Sequence, residues 1–185
     1  MLRHGGCGGQ QGCARSATNR RAKRIEEKFG TAGIAQNLVV HRSTDCGHTW
    51  QGPFDVAPTI NPNGLVDTNG NAVDAADKEL GDVDPETGRY GLCWTNFTNV
   101  RPEISCTYSD NITSSSPTFV PRRVIAAGST DGQGASLRFA GNGSPLAIVT
   151  WTRFPGSILN NIAVATSTDN GVTWSAPRNI TNNFV

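Results

Sequence analysis

Eight residues, Ser43-Thr44-Asp45-Cys46-Gly47-His48-Thr49-Trp50, recur as Ser167-Thr168-Asp169-Asn170-Gly171-Val172-Thr173-Trp174. An internal repeat this specific restricts the chain to an architecture of equivalent units. Leu38, Val39 and Val40 precede the first copy, and Ile162, Ala163 and Val164 precede the second. Proline-containing segments follow, with Pro53 in one and Pro177 in the other. Each unit therefore reads as a strand, a tight turn and a second strand. An Asp side chain accepts hydrogen bonds from backbone amides a few residues on, and glycine supplies the positive φ of the turn. The Trp folds back over apolar neighbours. Asp45 and Asp169 read as turn caps on this logic, rather than as catalytic acids.

A worn copy lies between the two. Tyr108-Ser109-Asp110-Asn111-Ile112-Thr113 keeps a Ser-Asp step but lacks the Gly and Trp. With Asp110 taken as the counterpart of the octet Asp, the intervals are 65 residues from Asp45 and 59 to Asp169. A second landmark has the same period: Trp94-Thr95-Asn96-Phe97 matches Trp151-Thr152-Arg153-Phe154, its tryptophans 57 residues apart. Strands rich in Val, Ile, Thr and Trp alternate with Gly, Asn and Pro turns. The spacing predicts strands at about 78–83, 90–97, 104–109 and 119–125, then 135–139, 146–154, 161–167 and 174–180. The first unit shows only its outer pair, about 35–42 and 50–56.

The octet resembles the Asp-box, or bacterial neuraminidase repeat, of sialidase-like β-propellers, and the resemblance covers about residues 31–185. It implies an all-β fold of about two and a half four-stranded antiparallel blades, at about 31–60, 75–127 and 133–185. In that family the box joins the third and fourth strands of a blade, on the rim away from the active site. Its structural set here is Ser43, Asp45, Gly47, Trp50, Asp110, Ser167, Asp169, Gly171 and Trp174. The resemblance further implies a ligand face built from the loops joining strands two and three and from those leading into the next blade. Asp77, Lys78, Arg101, Glu103, Asp131 and Arg153 fall there. Arg101 or Arg153 would clamp a carboxylate with parallel hydrogen bonds, with Glu103 as a further substrate contact. Asp77 or Asp131 would serve as general acid on a glycosidic oxygen.

The implied function is that of a sialidase-like glycoside hydrolase, acting on or binding glycans. The alternative is a non-catalytic module that binds a glycan or a protein. Departures from the family pattern weigh on this choice. The Phe/Tyr-Arg-Ile-Pro motif is missing, with Val100-Arg101-Pro102-Glu103 only a faint echo. Tyr90 and Tyr108 fall in strands near turns, at the wrong end of the blade for a nucleophile. The catalytic set is thus incomplete, and the chain alone is expected to be inactive. Trp94, Phe97, Trp151 and Phe154, at matching blade positions, are expected to pack between blades rather than stack on sugars.

Propellers close with four to eight blades, so an array of two and a half is expected to be a fragment or to associate with copies of itself. The first thirty residues stand apart. They carry seven basic residues against Glu26 and Glu27, whereas the remainder carries nine basic and thirteen acidic. They are expected to form a disordered leader, with nucleic-acid binding not expected. The leader has no apolar stretch of signal-peptide type, and no run is long enough to span a membrane. An extracellular or cell-surface location follows from the family resemblance alone.

Cys93 and Cys106 sit on neighbouring predicted strands, where a disulfide or two buried thiols both fit. His4, Cys7 and Cys13 lack the partners of a zinc site, and no cofactor or metal is expected. Asn96, Asn111, Asn142 and Asn179 begin formal glycosylation sequons. Nucleophile-elbow, phosphate-loop and dinucleotide motifs are absent from the sequence.

Overall fold

The computed structural model describes residues 14–21, 36–56, 74–98, 101–128, 130–155 and 160–181. Eleven strands and no helix are found among them. The first sheet holds β1 (Ala14–Arg21), β2 (Gln36–Arg42) and β3 (Gln51–Asp55) in that order. The second holds β4 (Asp74–Val83), β5 (Tyr90–Thr98), β6 (Pro102–Ser109) and β7 (Arg123–Ala127). The third holds β8 (Ser136–Gly141), β9 (Ser144–Arg153), β10 (Asn161–Ser167) and β11 (Arg178–Asn179). Every pairing is antiparallel between neighbours in sequence, which makes each sheet a meander. These are three consecutive blades.

One expectation needs correction. Residues 14–21, assigned to the leader, form β1 and pair with β2, Thr18 opposite Val39 and Asn19 opposite Leu38. The basic composition that set this segment apart does not oppose a ladder, because backbone groups make the ladder bonds and edge strands tolerate charge. The first blade therefore has strands two, three and four of the repeat. Strand β1 touches β4, and β4 touches β8, so successive blades meet near their inner strands.

Between the blades lie two apolar cores. Leu38, Val40 and Val56 of the first blade pack with Tyr90, Leu92, Trp94 and Ile112 of the second. Cys93, Ile104, Cys106 and Ala126 of the second pack with Leu137, Val149, Trp151 and Ala163 of the third. Strand alternation explains the division: on β5, Leu92 and Trp94 face the first blade while Cys93 faces the third. Trp94 is 0% exposed and Trp151 1%, so both tryptophans are packing residues. Truncating either costs about 3–5 kcal/mol. Phe154, by contrast, is exposed.

Close approach also fixes one glycine. A side chain at Gly91 would place its Cβ 2.4 Å from Leu137 Cδ2 of the next blade, so any larger residue would force the Leu137 and Phe139 side chains to shift. Cys93 lies directly opposite Cys106 in the ladder, and the two form a disulfide across the sheet. The bridge closes a loop of 13 residues, and its loss costs about 3 kcal/mol in the chain-entropy picture.

Polar ties cross the same interfaces. Thr95 Oγ1 donates to the Gly132 carbonyl at 3.2 Å, and the Phe139 amide donates to Asp82 Oδ2 at 3.0 Å. Arg42, 5% exposed, donates from Nη1 to the carbonyls of Ile112 and Ser114 in the second blade. Arg89 does the same one blade on, donating from Nη1 to the Asn170 carbonyl at 2.9 Å.

Candidate functional site

The meander gives each blade two ends. At one end lie the octet turns, which join β2 to β3 and β10 to β11, together with the hairpin turns after β4 and β8. At the other lie the β5–β6 connection and the segments that lead from one blade to the next.

The two octet turns are nearly superimposable in their hydrogen bonds. Ser43 Oγ donates to Asp45 Oδ1 at 2.7 Å and accepts from the Gly47 amide at 2.7 Å. Asp45 accepts from the Thr49 amide at 2.8 Å and from the Thr49 hydroxyl at 2.6 Å. In the second copy Ser167 and Asp169 make the same four bonds with Gly171 and Thr173, at 2.7, 2.8, 2.8 and 2.5 Å. Cys46 and Gly47, like Asn170 and Gly171, take positive φ. The Thr49 donors, then Ser43, hold the Asp45 carboxyl well below its ordinary range. Thr173 and then Ser167 bring Asp169 from 3.8 down to about 2. A carboxyl committed in this way is a turn cap that stays ionised at neutral pH, at the opposite end of the blade from the β5–β6 connection.

The middle turn differs from expectation. Asn111, not Asp110, occupies the octet Asp position: it accepts from Ser109 Oγ at 3.1 Å and from the Thr118 amide at 2.8 Å. Asp110 points elsewhere and forms a two-pronged ion pair with Arg89, at 2.6 and 3.0 Å. The octet counts two residues from Ser to Asp, and Asp110 is one residue short of that. The Arg89 guanidinium also stacks 3.9 Å above the Tyr108 ring.

The mouth end carries the residues expected to bind ligand, and it sorts them into separate groups. Asp131 and Arg153 come together: Arg153 Nε donates to Asp131 Oδ1 at 2.6 Å, and the two backbones form an isolated bridge. The same oxygen accepts from the Trp151 indole at 3.0 Å, and Asp131 is 5% exposed. Arg153 Nη1 reaches Asn179 Oδ1 at 3.0 Å. The guanidinium is thus pinned on two sides, while Nη2 makes no hydrogen bond among the described residues. Asp131 acts here as an acceptor, and donating a proton would cost it the ion pair.

Asp77 lies at a bulge in β4, where the register shifts between Asp77 and Leu80. Its Oδ1 accepts from the Lys78 amide at 2.9 Å. Lys78 has a φ of 52° and extends its ammonium to Gln133, two residues beyond Asp131. Bulges of this kind re-aim side chains and are common beside functional sites. Glu103 stays outside this group, accepting from Arg122 Nη1 at 2.9 Å. Arg101 is exposed in the β5–β6 connection, and its side chain makes no ion pair among the described residues. Sequence reasoning missed Asn179 as a support for Arg153 and the Trp151 indole as a donor to Asp131, because the partners in each pair lie 20 or more residues apart in sequence. The tyrosines are at the octet end: Tyr90, opposite Ser109, is 4% exposed, and burial pushes its hydroxyl upward.

No metal-ligating cluster of His, Cys, Asp or Glu occurs among the described residues. No helix among them is long and apolar enough to cross a membrane.

No protein-family model matches the chain, and no curated protein sequence matches it. Among solved structures it is similar to the Hadza microbial sialidase Hz136, with a TM-score of 0.52 and 16% identity, over 82% of this chain and 34% of that one. Weaker similarity, with TM-scores of 0.36 and 0.38 and 8% identity, extends to two structures of the exo-β-1,3-galactanase Pc1,3Gal43A of Phanerochaete chrysosporium. Those alignments cover 83% and 92% of this chain and 45% and 51% of the galactanase. At such identity the sialidase likeness speaks for fold only, and the chain spans about a third of that enzyme's length. Its three meander sheets are consecutive blades of a β-propeller.

Proposed function

We infer that the chain is part of a sialidase-like, Asp-box propeller whose mouth-end loops take an acidic glycan. The observation that carries this reading is Arg153. Its Nε and Nη1 are held by Asp131 and Asn179, while Nη2 is left without a partner among the described residues. A guanidinium fixed in orientation before ligand arrives loses little entropy on gripping a carboxylate. Asp131 then acts as a positioning residue for Arg153. Lys78 adds a second cation, and Asp77, half-exposed beside it, is the carboxyl left for proton transfer.

Binding is favoured over turnover for this chain alone. Of the two tyrosines, Tyr90 is buried and Tyr108 lies under Arg89, so neither supplies a nucleophile at the mouth. Titration with an α-sialoside, followed by saturation-transfer NMR, tests the reading. Transfer to the sugar is expected in the wild type, and loss of transfer in Arg153→Ala with the fold intact. A fluorogenic sialoside should remain uncleaved. Equal transfer in wild type and Arg153→Ala would overturn the assignment of Arg153.

A further inference from the structure

The mouth carries two half-sites. Asp77 and Lys78 belong to β4 of the second blade, whereas Arg153 ends β9 of the third and Asp131 lies on the segment leading into that blade. Each half is held together locally: the Lys78 amide donates to Asp77, and Arg153 Nε donates to Asp131. A site that uses both halves also needs their relative position fixed.

Gly132, next to Asp131, is where the two blades meet. Its amide donates to the Thr152 carbonyl of the third blade at 2.9 Å, and its carbonyl accepts from Thr95 Oγ1 of the second at 3.2 Å. A Cβ at this position would lie 2.3 Å from Phe154 Cε2 and 2.5 Å from the Thr152 carbonyl oxygen, so that space is already filled. Both neighbours of Gly132 are held with it. The Thr152 amide donates to the Gln133 carbonyl at 3.0 Å, and the Asp131 amide donates to the Gly128 carbonyl at 3.0 Å.

Thr95 supplies the buried tie from the second blade. It is 0% exposed and stands directly opposite Asp77 in the β4–β5 ladder. Opposed residues of an antiparallel ladder present their side chains on one face, here the face turned towards the third blade. The Thr95 hydroxyl therefore joins the ladder position of Asp77 to the residue beside Asp131. Lys78 makes a second tie, donating from Nζ to Gln133, but at an exposed site where solvent competes. The hydroxyl bond, shielded from water, is the stronger constraint.

We propose that Thr95 is a positioning residue for the mouth. By holding Gly132 it keeps Asp131, and through Asp131 the Arg153 guanidinium, in register with Asp77 and Lys78. The ligand that this arrangement serves rests on the glycan reading above, whereas the positioning of Arg153 does not.

Hydrogen exchange at arginine Nε in the isotope-labelled full chain tests it, with the Arg153 signal identified by its loss in Arg153→Lys. In the wild type this proton is expected to exchange slowly, and the Thr95 hydroxyl proton to give a resolved signal of its own. Thr95→Val removes the hydroxyl but keeps the branched shape, and should speed Arg153 exchange roughly fivefold, as expected for one lost hydrogen bond. Thr95→Ser should restore the wild-type rate, with the Thr173 amide of the remote octet turn unchanged in both variants. Affinity for an α-sialoside should follow the same order, falling roughly fivefold in Thr95→Val and recovering in Thr95→Ser.

The same Arg153 rate in wild type and Thr95→Val, a faster rate that serine does not restore, or a wild-type Thr95 hydroxyl without a resolved signal would each overturn the proposal. So would unchanged affinity in Thr95→Val where Arg153→Ala abolishes binding. Equal sialoside binding by wild type and Arg153→Ala would instead defeat the glycan reading, and the exchange rates would then decide the role of Thr95 by themselves.

Discussion

The octet turns of the first and third blades and the turn of the middle blade solve one problem in two ways. In the octets a single carboxylate gathers the turn, and its partners lie within four residues of it in sequence. In the middle blade the Asn111 amide does part of this, and arginines from elsewhere do the rest. Arg42 reaches across from the first blade to the carbonyls of Ile112 and Ser114, while Arg89 takes up Asp110. The first arrangement is folded by local sequence. The second depends on two blades being docked.

Removing Arg42 should have the largest effect on this comparison. Arg42→Met keeps much of the stem but leaves two carbonyls and Gln51 without their donor. A loss of about 3 kcal/mol is expected in urea unfolding. A loss no greater than that of an octet variant would dissolve the distinction between the turns.

Asp169→Ala comes next. It removes the bonds to Thr173 and Ser167, but at an exposed site, and about 1 kcal/mol is expected after allowance for solvent screening. The local damage should be confined to the third-blade turn, as seen in amide chemical shifts.

Acid sharpens the same comparison. The Asp169 carboxyl is lowered on folding, so its contribution is fully present above its ordinary value of 3.8 and is lost as pH falls towards about 2. Asp45 is lowered by the same kind of bonds and acts in the same direction. Melting temperature should therefore fall through this window, and less steeply in Asp169→Asn. A melt that is flat in acid for the wild type would contradict the assignment of both carboxylates.

Asn111→Asp should have the smallest effect. It restores the octet carboxylate at the middle turn, beside an Asp110 already neutralised by Arg89. A change within about 0.5 kcal/mol at neutral pH is expected, with new acid sensitivity of the Thr118 amide.

These differences show what the sequence could reveal. The octets were legible because their bonds are short-range and each needs a particular residue at a particular offset. Asp110 misled because the eye aligns one acidic residue with another, whereas the turn counts its offset from Ser109. Strand β1 was hidden by its charge, which says little about ladder pairing. Of the mouth residues, Asp131 and Arg153 were visible as a carboxylate and a guanidinium near blade ends. Their pairing was not visible, because 22 residues separate them and an isolated bridge brings them together. Arg42 and Arg89 gave no local signal, since Arg42 reaches carbonyls one blade away and Arg89 pairs with Asp110 across its own blade, 21 residues on.

Amide hydrogen exchange at Thr49, Thr118 and Thr173 tests the central claim most directly, because each amide donates to the capping side chain of its own turn. In Arg42→Met, Thr118 should lose its protection while Thr49 and Thr173 keep theirs. Equal loss at all three, or none at Thr118, would contradict the view that the outer turns are held locally and the middle one by its neighbour.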